Sequence, residues 1–147
     1  FLSAFNTSVS GMTAQRQRVN TISENIANAE TTRTPQGGPY RRREVILASV
    51  ANDRTFEEEL LSQDRSVSTS TEVKVVGIVQ DERPPILRFE PGHPDANEEG
   101  YVEMPNVNIM EEMVNLMSAN RSYEANTAAF NATKNMVQSA LDLGRNA

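Results

Sequence analysis

NIMEEMVNLMSANRSYEANTAAFNATKNMVQSALDLG, residues 108 to 144, decides how the chain is built. Ile109, Met113, Leu116, Tyr123, Phe130, Val137 and Leu141 fall on steps of three, four and seven, the spacing that puts side chains on one face of a helix. Asn108 stands where a side-chain oxygen covers a free amide of the first turn, and Glu111 completes a capping-box pattern. Glu111 and Glu112 read as solvated charges suited to the positive helix end, and Gly144 as the stop. About 35 residues of helix span roughly 50 Å at 1.5 Å per residue, more than a small globule needs.

A second stripe lies at the other end of the chain. Leu2, Phe5, Val9, Met12, Val19, Ile22, Ile26 and Ala29 repeat with the same period, against Ser, Thr, Gln, Arg and Asn on the remaining faces. A sustained seven-residue repeat is the seam spacing of coiled coils. Gly11 lowers helix propensity by about 0.5–1 kcal/mol against Ala and suggests that another backbone comes close there. Thr34-Pro35-Gln36-Gly37-Gly38-Pro39 then forbids further helix.

Between the helices the period shortens. Arg43–Val50, Glu72–Gln80, Pro85–Glu90 and Gly100–Met104 are rich in Val and Ile, bounded by Gly, Pro, Asn or Asp, and predict strands. Residues 51–71 are polar, with Glu57-Glu58-Glu59 and a Ser/Thr run, and read as a long loop with one short helix over 56–61. The expected fold is α+β: long N- and C-terminal helices packed as an antiparallel, coiled-coil-like pair around a small β-rich middle. Residues 1–34 and 105–147 form the helical part, and residues 35–104 the β-rich part.

Composition narrows the function. Apolar residues make up 37% and aromatic residues 5% of 147, with no Trp, a thin supply for a self-sufficient core. Even as a pair, the helices would leave Met110, Val114, Met117 and Met136 partly exposed, while Asn120, Thr127 and Lys134 interrupt the seam as register-fixing polar positions do. A helical hairpin inside a monomer is the plainer alternative. Twenty acidic residues against fourteen basic ones give a net charge of −6, which disfavours nucleic-acid binding. No apolar run reaches the ~20 residues of a membrane span, so direct membrane insertion is not expected. Nor is a cleavable signal visible, although the sequence opens on Phe1 and a preceding segment stays open. The absence of cysteine excludes disulfide and thiol chemistry.

Catalytic candidates are few. His93, the single histidine, sits in Glu90-Pro91-Gly92-His93-Pro94-Asp95, and with Asp95, Glu98 and Glu99 it could be pictured as a metal site; a turn is the simpler reading. A hydrolase triad would need the same histidine, and no Gly-x-Ser-x-Gly elbow occurs. Gly37-Gly38 precedes Pro39, which has no N–H for a phosphate, so neither nucleotide nor other cofactor is expected. Arg41-Arg42-Arg43, beside Tyr40, is the one basic cluster and suits an acidic surface on a neighbouring subunit, with Glu57–Glu59 of another copy as a conceivable counterpart. An enzyme with a site around His93 is the runner-up from a different class.

Several motifs in order resemble the bacterial flagellar axial (rod and hook) proteins. Asn25-Ile26-Ala27-Asn28-Ala29 closes the first helix, and Gly37-Gly38-Pro39-Tyr40-Arg41 follows it. Pro91-Gly92-His93-Pro94-Asp95, Met104-Pro105-Asn106-Val107-Asn108 and Ser122-Tyr123-Glu124-Ala125-Asn126 continue the likeness. The resemblance implies a structural, non-enzymatic subunit of the proximal rod. Its partners would be other copies of itself, other rod proteins, the basal-body base and the export apparatus. Export would proceed without a cleaved signal, the location would be the rod across the periplasm, and the task torque transmission for motility. Phe5, Val9, Met12, Val19, Ile22, Ile26, Met113, Leu116, Tyr123, Phe130, Val137 and Leu141 are then the expected subunit-interface residues. Asn25, Asn28, Pro35, Gly37, Gly38, Pro39, Tyr40 and Arg41 are the expected turn joining helix to β-rich part.

Overall fold

The computed structural model describes residues 2–51 and 71–145. Helix α1 (Leu2–Ala27) leads through a turn to strand β1 (Arg43–Ala51); then come β2 (Thr71–Gln80), β3 (Ile86–Phe89), β4 (Tyr101–Met104) and helix α2 (Ile109–Arg145). This is the expected α+β arrangement. Ala51 and Thr71, expected in the loop, instead end β1 and begin β2; the rest of that loop and its short helix, 52–70, lie outside the described residues. β3 begins one residue after Pro85, which has no amide to give to a ladder.

The two helices run antiparallel. Phe5 meets Phe130 edge-on with ring centroids 4.9 Å apart, the Thr127 hydroxyl lies 3.3 Å from the Met12 sulfur, and Asn25 reaches Glu112 at 2.9 Å. The seam combines part of the expected apolar stripe with small and polar residues. Ser8, Gly11, Ala14, Thr21, Ile22 and Asn25 are buried on α1, and Glu112, Ala119 and Thr133 on α2. Small and polar side chains hold the centre because the helices come close: a Cβ at Gly11 would sit 2.9 Å from the Asn126 side-chain nitrogen. The neighbour at Gly11 is thus a side chain where a backbone had been expected. Glu112 likewise departs from its expected place as a solvated charge, being 1% exposed.

α2 starts as its sequence requires, with the Asn108 side chain accepting the Met110 amide at 3.0 Å. It ends later than expected, running through Gly144 to Arg145. Gly144 adopts no left-handed conformation there and so does not break the helix.

β1 and β2 pair antiparallel with a register shift between Ile46 and Leu47, and β3 and β4 pair antiparallel as a separate two-stranded sheet. Two-stranded sheets are marginal alone in water, and α1 supports the first of them. The Thr7 hydroxyl donates to the Thr71 carbonyl at 3.0 Å, and the Val73 amide donates to the Ser10 hydroxyl at 3.2 Å. Helix hydroxyls thereby satisfy backbone groups of β2 that β1 leaves free. In the second sheet Val102 faces inward at 1% exposure, whereas Leu87, Phe89 and Tyr101 stay on the open face.

Candidate functional site

Four segments meet at one buried polar junction: the end of α1, the turn after it, the start of β1 and the first turn of α2. Asn25, fully buried, uses both ends of its amide. Its Nδ2 donates to the Arg43 carbonyl at 2.8 Å and to Glu112 Oε2 at 2.9 Å; its Oδ1 accepts the Arg43 amide at 2.9 Å and the Tyr40 hydroxyl at 3.0 Å. Two donors and an acceptor with two lone pairs are all filled, which is what makes a buried amide tolerable.

Glu112 completes the junction from α2. Its second oxygen accepts from Arg42 Nε and Nη2, both at 2.9 Å, a two-pronged pairing that suits the planar guanidinium. Burial alone would push the Arg42 pKa down, but the hydrogen bond and charge of Glu112, helped by Glu44, reverse this and raise it. Burial pushes the Tyr40 hydroxyl pKa up, with Glu24 and Glu112 adding to the rise and Arg43 opposing it.

The turn leading into the junction follows its residue types. Gly37 and Gly38 hold φ of +89° and +73°, a region side chains avoid, and the Thr34 amide closes on the Gly38 carbonyl at 2.9 Å. The Tyr40 amide then returns to the Thr31 carbonyl at 3.0 Å, which aims the Tyr40 ring inward. Asn28 bonds back to the Glu24 carbonyl, closing α1, and its side-chain oxygen accepts the Thr31 hydroxyl. Pro39 is half-buried within the turn, while Pro35 and Arg41 are exposed.

Of the arginine run, Arg42 is committed to Glu112 and Glu44, and Arg43 to Glu24 at 3.5 Å with its guanidinium 5.8 Å from the Tyr40 ring. The cluster is therefore largely consumed inside the chain. His93 organises a turn: its Nδ1 accepts the Asp95 amide at 3.1 Å. The Asp95 carboxylate accepts the Thr32 hydroxyl at 2.8 Å and lies 3.8 Å from Arg33, so it ties the second sheet to the turn.

The expected interface residues divide into two groups. Ile22 is buried, and Phe5, Met12, Val19, Ile26, Leu116, Phe130 and Val137 are half-buried. Val9, Met113, Tyr123 and Leu141 are exposed, as are Met110, Val114, Met117 and Met136 beside them. Glu112, Arg42 and Arg43 were missed as junction residues. A signal for Glu112 was present, since it heads the seven-residue series Glu112, Ala119, Asn126, Thr133, whose members carry too few carbons to register as an apolar stripe.

No described helix is long and apolar enough to cross a membrane. Residues 5–33 match the family described as flagella basal body rod protein, and residues 98–143 the C-terminal part of the flagellar basal body rod FlgEFG proteins. The chain is 45% identical to the flagellar basal-body rod protein FlgC of Bacillus subtilis, covering 97% of each chain. It is 43% identical to that of Borreliella burgdorferi, over 95% of this chain and 94% of the relative, and 38% identical to that of Escherichia coli O6:H1, over 98% of both. Helical ends, a glycine turn anchored on Asn25 and near full-length likeness to these relatives together establish that the chain belongs to the FlgC family of flagellar basal-body rod proteins.

Proposed function

We propose that this chain is a non-enzymatic building block of the proximal rod, packing through its terminal helices against copies of itself and other rod proteins to carry torque from the base outward. Residues 1–34 and 105–147 would form the helical unit on the rod axis, and residues 35–104 the β-rich unit beside it. The location is the flagellar basal body, and the reading extends this to the periplasmic stretch of the rod, reached through the flagellar export apparatus without a cleaved signal.

The observation that carries the reading is where the apolar surface went. The buried seam positions are Ser, Gly, Ala, Thr, Asn and Glu with Ile22, whereas Met110, Val114 and Leu141 are 71%, 60% and 69% exposed. Exposed large apolar side chains repeated along one helix of a polar chain suit a protein-facing side. Val9, Met113, Tyr123 and Leu141 are the interface residues already free for a neighbour; Phe5, Met12, Ile22 and Phe130 first hold the pair together.

Met113→Asp combined with Leu141→Asp tests it. Exposed substitutions shift monomer stability by about 0.5 kcal/mol or less, so the variant should fold with an unchanged circular dichroism spectrum yet be missing from isolated basal bodies of non-motile cells. Normal rods containing the doubly charged variant would overturn the reading.

A further inference from the structure

Charge is unevenly distributed along the chain. Residues 2–51 hold six arginines and three glutamates, net +3, while residues 81–104 hold seven acidic residues and two arginines, net −5. Part of this is settled internally by the Arg33–Asp95 pair. Among the described residues the arginines Arg16, Arg18 and Arg41 of the first segment and Glu82, Glu98, Glu99 and Glu103 of the second join no ion pair, and two features stand out. The first is Arg41, exposed and, among the described residues, in no ion pair. It borders a hollow of about 330 Å3 together with Arg43, Gln36, Gln80, Thr34 and Tyr40. Its lining holds two guanidinium groups, of which Arg43 already faces Glu24 at 3.5 Å, two amides and no carboxylate; the acidic residues Asp81 and Glu103 line a separate hollow on another side of Arg41.

The second feature is the turn between β3 and β4. Glu98 and Glu99 are exposed on it, just before Gly100, whose φ of +83° makes the sharp corner. Beside them the open face of the sheet carries Leu87, Phe89 and Tyr101 at 61%, 62% and 39% exposure. A turn that exposes two carboxylates finds its complement in a surface that offers cations without acids.

We infer that the Glu98–Glu99 turn of one copy docks into the Arg41 hollow of the next copy, a head-to-tail contact between two β-rich parts. The two surfaces are different patches of one chain, so the contact does not close on itself as an isologous dimer would and can propagate around or along an assembly. It rests on the reading above that the chain assembles with copies of itself, and adds a second contact outside the helices.

The chain has no cysteine, so a single introduced pair reports without background. Gln36 and Glu99 are exposed, and neither side chain takes part in the junction. Gln36→Cys with Glu99→Cys, in cells carrying only this form, should give disulfide-linked dimers and higher ladders in oxidised, isolated basal bodies, while each single variant gives no ladder. Basal bodies that contain the double variant but yield only monomer would overturn the docking and leave the broader reading intact. Complete absence of the wild-type chain from basal bodies would sink both. As a check independent of cysteine, Arg41→Glu should lower rod yield about tenfold, given the penalty for like charges across an interface. Glu98→Arg with Glu99→Arg should restore yield in that background; no restoration, with both variants folded, counts against the contact.

Discussion

Asn25 shows what a single buried side chain can hold together. It bonds the end of one helix, the start of another and the first strand, and each partner loses its bond if the amide goes. Asn25→Ala should lower stability by about 3 kcal/mol or more, since each buried group left unpaired costs on the order of 1–3 kcal/mol. Urea unfolding of the isolated chain measures this. Asn25→Asp keeps the shape but sets a carboxylate 2.9 Å from Glu112 Oε2, so it should be at least as damaging at neutral pH. Glu112→Gln should also destabilise, because an amide whose oxygen stays on Arg42 turns its NH2 toward the Asn25 Nδ2 donor. Elsewhere, Asp81 receives side-chain and backbone hydrogen bonds from Arg83 that hold its carboxyl pKa at about 2, against an ordinary value of 3.8. A folded pKa below the unfolded one means stability present above roughly pH 4 and lost as pH falls toward 2. Asp81→Asn should therefore melt earlier than the parent at pH 6 and together with it near pH 2; a gap that persists at the lower pH would contradict the assignment.

At the scale of elements, the helix pair is held more by fit than by apolar mass. Gly11 makes that testable, because the atom its Cβ would strike is the far end of the Asn126 side chain. Gly11→Ala gains about 0.5–1 kcal/mol of helix propensity and loses part of it to that contact, so thermal unfolding should move little. Combining it with Asn126→Ala removes the obstacle and should raise the melting temperature above that of either single variant. The elements themselves were legible in the sequence: both helices, the four strands to within a residue or two, the Asn108 cap and the glycine turn. The seam was not, for a physical reason. Periodicity weighs side chains by apolar size, and here several large ones, Val9, Met113 and Leu141 among them, stay exposed while Ser8, Ala14, Thr21 and Ala119 are buried. Likewise Glu111 and Glu112 look alike in sequence, and only the arrival of Arg42 and Asn25 makes one of them a buried anchor. Motif likeness located the turn residues and did not reveal that Arg42, more than Arg41, is its grip on α2.

Across the whole molecule, the last turns of α2 lie beyond the Phe5–Phe130 contact, and residues 138–145 are all exposed. Amide exchange on a dilute monomer should be slowest from Glu112 to Thr133 and fastest after Val137, with protection rising there on assembly. Uniformly slow exchange to Arg145 in the monomer would argue against helices finished by neighbours. The buried junction also sets a kinetic order. Asn25 and Glu112 are separated by 87 positions, and a bond across so long a stretch forms only after most of the loop entropy has been surrendered. For a chain delivered one end first, as the proposed export demands, neither half of this bond can form until the other has arrived. Under the proposed export, the node that joins the two ends would form only after both had been delivered, so the structure that depends on it would wait for the destination.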